Sequence, residues 1–164
     1  MHLLDNAIFF MFLSFVVGVL VDPILRRAKP YGSLSSRYLF KTSETYEKLG
    51  VLWFRRLLRI TPFGSFNPNI RFTTTRDLNT LRSIRSHMAT AEMSHWVGFV
   101  FMLGMTVVAW WSRGALVGLS YVTLNIVGNL YPCMLQQYNK RRLQHLIEKI
   151  EDRFRNDRSP ASSG

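Results

Sequence analysis

Two long stretches without Asp, Glu, Lys or Arg, Met93–Ser112 and Gly114–Asn139, are separated by one charged residue, Arg113. The first has 20 residues and the second 26. As a helix the shorter one covers ~30 Å, the thickness of a bilayer's hydrocarbon core. So short a connection forces an antiparallel hairpin. The residues opening the first run therefore return to the level of those closing the second. The openers are Ala91-Glu92-Met93-Ser94-His95-Trp96. The closing stretch runs from Asn129 through Gln136, Tyr138 and Asn139 to Arg142 and Leu143.

A third apolar run lies near the N-terminus. Asn6–Val21 is uncharged, and with Leu3, Leu4, Ile24 and Leu25 it approaches spanning length. Asp5 precedes it and Arg26, Arg27 and Lys29 follow, the reverse of a cleaved signal peptide. An uncleaved anchor with its N-terminus outside is expected. Net charge is +11, which in a soluble domain would suggest nucleic acid. Here charge and apolarity are segregated along the chain, so membrane lipids are the expected partner and nucleic acid is not. Segments 26–91 and 140–158 hold 20 of the 21 Lys/Arg, which places both in the cytoplasm and the Arg113 turn outside. The expected architecture is an all-α integral membrane protein, one domain over 1–158. It has three spans, about 3–25, 93–112 and 114–136, and 159–164 is expected to be disordered.

The polar middle has its own pattern. Lys48, Arg55 and Arg59 share one helical face, with Arg56 beside it. Leu49, Trp53, Leu57 and Ile60 share another, with Phe54 and Leu58 near its edge. That is the pattern of a basic amphipathic helix lying in the membrane surface, or of an ordinary helix packed on its neighbours. Thr61–Asn69, with two prolines and a glycine, reads as a loop. Thr73-Thr74-Thr75-Arg76-Asp77 then reads as the start of a helix running towards Glu92 and into the second span. Leu143, Leu146, Ile147 and Ile150 give the basic tail a narrow apolar stripe.

The candidate chemistry lies where the hairpin's two ends meet. Glu92 and His95 share a helix face, so the carboxylate could fix the tautomer of an imidazole acting as general base. The competing reading is an interfacial polar pair that anchors the helix. Asn125 and Asn129 are four apart, and the stripe continues through Pro132 to Gln136. Amides at this depth should face protein or a water-filled cleft, as hydrogen-bond glue or as site groups. Lys140 and Arg141 are expected at lipid headgroups. His87 and Glu92 spell H-x-x-x-x-E, but five residues turn the two side chains apart. Cys133, the single cysteine, reads as a small packing residue. No metal-ligand spacing is present.

Ala91-Glu92-x-x-His95-Trp96 and Asn129…Gln136-x-Tyr138-Asn139-x-x-Arg142-Leu143 resemble the glycosyl-diaponeurosporenoate acyltransferase family of carotenoid (staphyloxanthin) biosynthesis, as does Glu47-Lys48-x-Gly50. The likeness extends from about Glu44 to Leu143. Ile60-Thr61-Pro62 replaces a Trp-Lys of the family. A proline is displaced to Pro132, and Lys140 and Arg141 stand where the family has arginine and proline. The resemblance implies transfer of a fatty acyl group to a hydroxyl of a lipid-soluble acceptor, such as a glycosylated carotenoid, at the inner membrane surface.

On that reading Glu92, His95, Asn129, Gln136, Tyr138 and Asn139 are candidate catalytic residues. Arg142, Trp96 and Asn125 are candidate substrate-binding residues. An acyl thioester is the co-substrate, and no metal or tightly bound cofactor is expected. Two other readings stand beside it. One is a non-catalytic scaffold or lipid-binding protein; the other is a methyltransferase of the isoprenylcysteine type. The sequence sets no oligomeric state.

Overall fold

The computed structural model describes residues 2–29, 31–61 and 77–158. The Pro62–Asn69 loop and the 159–164 tail of the sequence reading lie outside them. Every element among the described residues is a helix. They are α1 (His2–Leu25), α2 (Tyr31–Ser36), α3 (Ser43–Lys48), α4 (Val51–Arg59), α5 (Leu78–Arg113), α6 (Ala115–Asn125), a π turn (Ile126–Leu130) and α7 (Tyr131–Arg158).

The hairpin is the frame. Asp77 caps α5, its carboxylate accepting from the backbone amides of Asn79 (3.3 Å) and Thr80 (2.9 Å). Those bonds hold the Asp77 pKa below its ordinary value, the Thr80 side chain contributing most. The helix that starts there runs 36 residues without a break, so the polar approach and the apolar run are one rod of about 54 Å. Gly114 turns the chain at φ 92°, ψ 168°, a conformation that a side chain would strain. α6 and α7 return along α5. At the turn Met102 and Ala109 pack on Val117, Tyr121 and Ala7. At the open end Leu81 and Met88 pack on Leu143 and Ile147, so the tail's apolar stripe zips onto the start of α5. Arg82 and Glu151 pair across the same end at 2.7 Å.

α1 is part of this frame. It crosses α5 so closely that a Cβ on Gly18 would lie 2.2 Å from the Ser94 carbonyl oxygen. Its end is fastened by Asp22, which accepts from Arg26 (2.6 Å) and Tyr31 (3.0 Å), while Arg26 also reaches Thr90.

α1 and α5 are long and apolar enough to cross a membrane. Within the fold only 17% and 28% of their most apolar stretches are buried. Phe9, Val19 and Leu20 on α1, Val100 and Trp111 on α5, and Leu116 on α6 are all exposed. α6 and the first turns of α7 continue the uncharged run, interrupted by the π turn, where the Tyr131 amide reaches back five residues to the Ile126 carbonyl. Pro132, which has no N–H to offer the preceding turn, follows at once.

α4 divides its surface three ways. Val51 and Phe54 pack with Tyr46, Met134, Leu135 and Tyr138, and Leu58 flanks them. Trp53 (66%) and Ile60 (82%) of the expected apolar face are exposed instead. The basic residues occupy the rest. The expected stripe is thus a second apolar face that the described residues leave exposed, as a helix lying in the membrane surface would have it.

Candidate functional site

The polar residues at the base of the hairpin separate into two clusters. The first is a closed network. Glu92 on α5 is 1% exposed and Lys140 on α7 is fully buried, and their charged groups meet at 2.5 Å. Gln137 donates to the other Glu92 oxygen at 2.6 Å, and Trp96 reaches the same carboxylate. Lys140 also donates to the Ser35 carbonyl (2.6 Å) and lies 4.8 Å from the centre of the Tyr38 ring. The Gln137 amide oxygen accepts from the Tyr46 hydroxyl (2.6 Å) and the Leu39 amide (2.9 Å). Burial raises the Tyr46 pKa, which keeps the phenol a donor. Arg141 donates to the Phe40 and Lys41 carbonyls. A buried ion pair with its remaining valences satisfied ties the segment between α2 and α3 onto the hairpin.

Two expectations are corrected here. Lys140 and Arg141 do not sit out among headgroups; they hold loop carbonyls and, for Lys140, a buried carboxylate. Glu92 does not orient His95. Its carboxylate is turned to Lys140, Gln137 and Trp96, because a buried carboxylate is stabilised more by a cation than by a neutral imidazole.

The second cluster surrounds His95. Asn129 donates through Nδ2 to Ser14 Oγ (3.1 Å) and Asn125 Oδ1 (3.0 Å), and Asn125 Nδ2 is fixed by the Phe99 carbonyl (3.1 Å). Ser14 Oγ in turn donates to the Met11 carbonyl (2.6 Å). This chain leaves the Asn129 carbonyl oxygen as the group that meets the imidazole, and His95 hydrogen-bonds Asn129. One ring nitrogen then carries the proton and the other keeps a lone pair. Phe15 meets the ring edge-to-face at 5.8 Å. Gly98 makes room: a Cβ there would fall 2.6 Å from Asn129 Oδ1.

His95 borders a cavity of about 490 Å³. Its walls come from α1 (Met11, Phe15), α4 (Phe54, Leu57, Leu58), α5 and the start of α7, and they are mainly apolar. Three polar side chains reach it from the hairpin: His87, His95 and Gln136. Gln136 is 8% exposed and its Oε1 has no hydrogen-bond partner among the described residues. An apolar cavity with a few convergent polar groups is the usual form of a small-molecule site.

Of the sequence candidates, His95 and Gln136 thus line the cavity. Asn129 and Asn125 stand behind His95. Glu92 and Trp96 belong to the ion-pair network, and Trp96 also packs edge-to-face on Phe99. Tyr138 turns its hydroxyl to Glu47 (2.8 Å), and burial together with that bond raises its pKa. Arg142 lies 5.7 Å from the Tyr138 ring centre. Asn139 is buried with its Nδ2 unpartnered among the described residues.

Gln137, Ser14 and Tyr46 have structural parts that the sequence reading left unassigned. His87 was set aside against Glu92, yet it shares a cavity with His95. The spacing His87, Ala91, His95, two steps of four on one helix, was the available sign.

Residues 27–149 match the family described as glycosyl-4,4'-diaponeurosporenoate acyltransferase. No curated protein and no solved structure matches the chain. The matched region contains both hairpin stretches and begins just after α1. Covering most of its length, the match shows that this chain belongs to the glycosyl-4,4'-diaponeurosporenoate acyltransferase family.

Proposed function

We propose that the protein is a membrane acyltransferase that moves a fatty acyl group from a thioester donor to a hydroxyl of a lipid-soluble acceptor, a glycosylated carotenoid being the acceptor its family name suggests. The observation that carries this reading is His95. It is bonded on one side to a fixed Asn129 and borders, with the unpartnered Gln136, a cavity with mainly apolar walls.

The unprotonated ring nitrogen takes the proton of the acceptor hydroxyl as its oxygen attacks the thioester carbonyl. The tetrahedral intermediate then collapses, the C–S bond breaks, and the imidazolium returns the proton to the departing thiolate. The Gln136 amide oxygen, an acceptor without a partner among the described residues, can accept from the acceptor hydroxyl and so help hold it beside His95. Glu92 has no chemical step and acts as a tether.

Three membrane spans accommodate this chemistry. α1, the apolar part of α5, and α6 with the start of α7 carry the exposed apolar belt. α4, which supplies Phe54, Leu57 and Leu58 to the cavity, adds the exposed Trp53 and Ile60. The charge distribution supports an outside N-terminus, with the basic middle and tail in the cytoplasm.

The test is mass spectrometry of lipids from cells making the acceptor, with wild-type protein or with His95→Ala. Wild type should yield a product heavier by one fatty acyl group. His95→Ala, at equal expression and Tm, should lose about 100-fold or more of that product. Full transfer by His95→Ala would remove the base assignment.

A further inference from the structure

We propose that Arg55, Arg59 and Arg142 form a binding site for the phosphate of an amphiphile whose acyl chain lies in the cavity. The inference rests on the reading of the cavity as an acyl-chain site and extends it to the headgroup.

α4 and α7 each supply a cavity wall, Phe54 and Leu58 from one, Leu135 and Gln136 from the other. The same two helices carry the arginines. Tyr138, packed in one cluster with Phe54 and Leu135, lies beneath the Arg142 guanidinium. None of the three arginines forms an ion pair among the described residues. Glu47, the carboxylate at Tyr138, accepts the phenol hydroxyl. Stretch 62–76, outside the described residues, contains no Asp or Glu.

Arg55 is half-buried, and its Nε is buried with no partner among the described residues. Burial first, then Arg59 and Arg142, hold its pKa below the ordinary arginine value. Arg56, Arg59 and Arg142 are exposed, as in a solvated basic face, and Arg55 between them is not. A half-buried donor among repelling cations is instead satisfied by an anion, and a phosphate oxygen matches the guanidinium fork.

Two amphiphiles offer that phosphate: a coenzyme A thioester and an anionic phospholipid. Binding rather than transfer is measured, so the result stands apart from the catalytic reading. Full-length protein in phosphatidylcholine nanodiscs is titrated with palmitoyl-coenzyme A and with S-palmitoyl-N-acetylcysteamine, which carries the same chain without phosphate. The variants are Arg55→Gln/Arg142→Gln, Arg55→Lys/Arg142→Lys as a charge-keeping form, and Arg82→Gln as a distant basic control.

The double glutamine variant should weaken palmitoyl-coenzyme A at least about tenfold while changing the phosphate-free thioester less than about twofold. The lysine variant should fall between, and Arg82→Gln should move neither. In the second arm, phosphatidylglycerol replaces a third of the phosphatidylcholine. If the phospholipid is the natural ligand, phosphatidylglycerol should compete with palmitoyl-coenzyme A in wild type and not in the glutamine variant. Equal weakening of both thioesters, or no change in either arm, would overturn the phosphate site. Failure of wild type to bind either thioester would instead sink the acyl-chain reading on which it rests.

Discussion

Removing the charge of Glu92 alone should damage the fold more than removing it together with its partner. In Glu92→Gln, Lys140 remains fully buried with a Ser35 carbonyl and an aromatic ring but no counter-ion. In Lys140→Met, the carboxylate keeps Gln137 and Trp96 and loses its cation. Leaving one member of a buried pair uncompensated costs about 3–5 kcal/mol. At roughly 2–4 °C per kcal/mol for a chain of this size, each single variant should lose about 6–20 °C of Tm.

The double variant Glu92→Gln/Lys140→Met leaves no buried charge. The new glutamine still accepts from Gln137, and the main loss is the donor to the Ser35 carbonyl, about 1–3 kcal/mol. The double variant should therefore be more stable than either single one, a coupling of several kcal/mol. The assay is thermal unfolding of detergent-solubilised protein, with acyl transfer measured alongside. Losses that simply add would refute the pair as a unit. A double variant folded like wild type but without transfer would refute the assignment of Glu92 to scaffolding.

Asn129→Ala should lower kcat about 10–100-fold with KM for the acyl donor within about twofold, since it orients His95 without touching substrate; equal losses in KM and kcat would refute that. Gly98→Ala should destabilise by about 1–3 kcal/mol and reduce transfer by displacing Asn129, read as Tm and product yield. Gly104→Ala, which meets nothing within 4 Å, should be neutral, and similar behaviour of the two would refute the clash. The Asp77 carboxylate titrates below its ordinary 3.8, so its contribution to the start of α5 should be complete above that pH and lost as pH falls through the lower folded value. Amide exchange at Asn79 and Thr80, corrected for intrinsic rates, should show it, and Asp77→Ala should fray at every pH.

The hairpin was legible because it depends on a one-residue interruption in 47 positions of low charge, which admits one geometry. The start of α5 was legible in its place but not in its cap: a threonine or the aspartate could serve, and Asp77 does. Which polar side chains face one another was not legible. Glu92 and His95 sit three apart, and spacing alone lets them pair. The partners that compete, Lys140 and Asn129, come from a strand of chain some 40 residues away. Their depth relative to α5 depends on the π turn at 126–130, which shifts the register of everything after it. Pro132 marks the place, yet nothing in residue spacing distinguishes a π turn from a kink. The outward apolar face of α4, with Trp53 and Ile60, was legible, and its second face, Val51 and Phe54 packed on the protein, was not. Two apolar faces on nine residues can be told apart only once Tyr46 and Tyr138 show which of them the protein covers.

The first helix changes what the site consists of. The family match begins at residue 27, yet Ser14 of α1 holds Asn129, and Met11 and Phe15 form a cavity wall. The contact cannot slide, because Gly18 lies against the Ser94 backbone and a Cβ on Gly128 would meet Met11 at 2.9 Å. A helix that served only to anchor the chain would not need glycine at those crossings or a serine at that depth. α1 is therefore a structural member of the His95 site. Replacing it with an unrelated apolar helix of equal length should preserve membrane insertion and abolish transfer, whereas retained transfer would reduce α1 to an anchor.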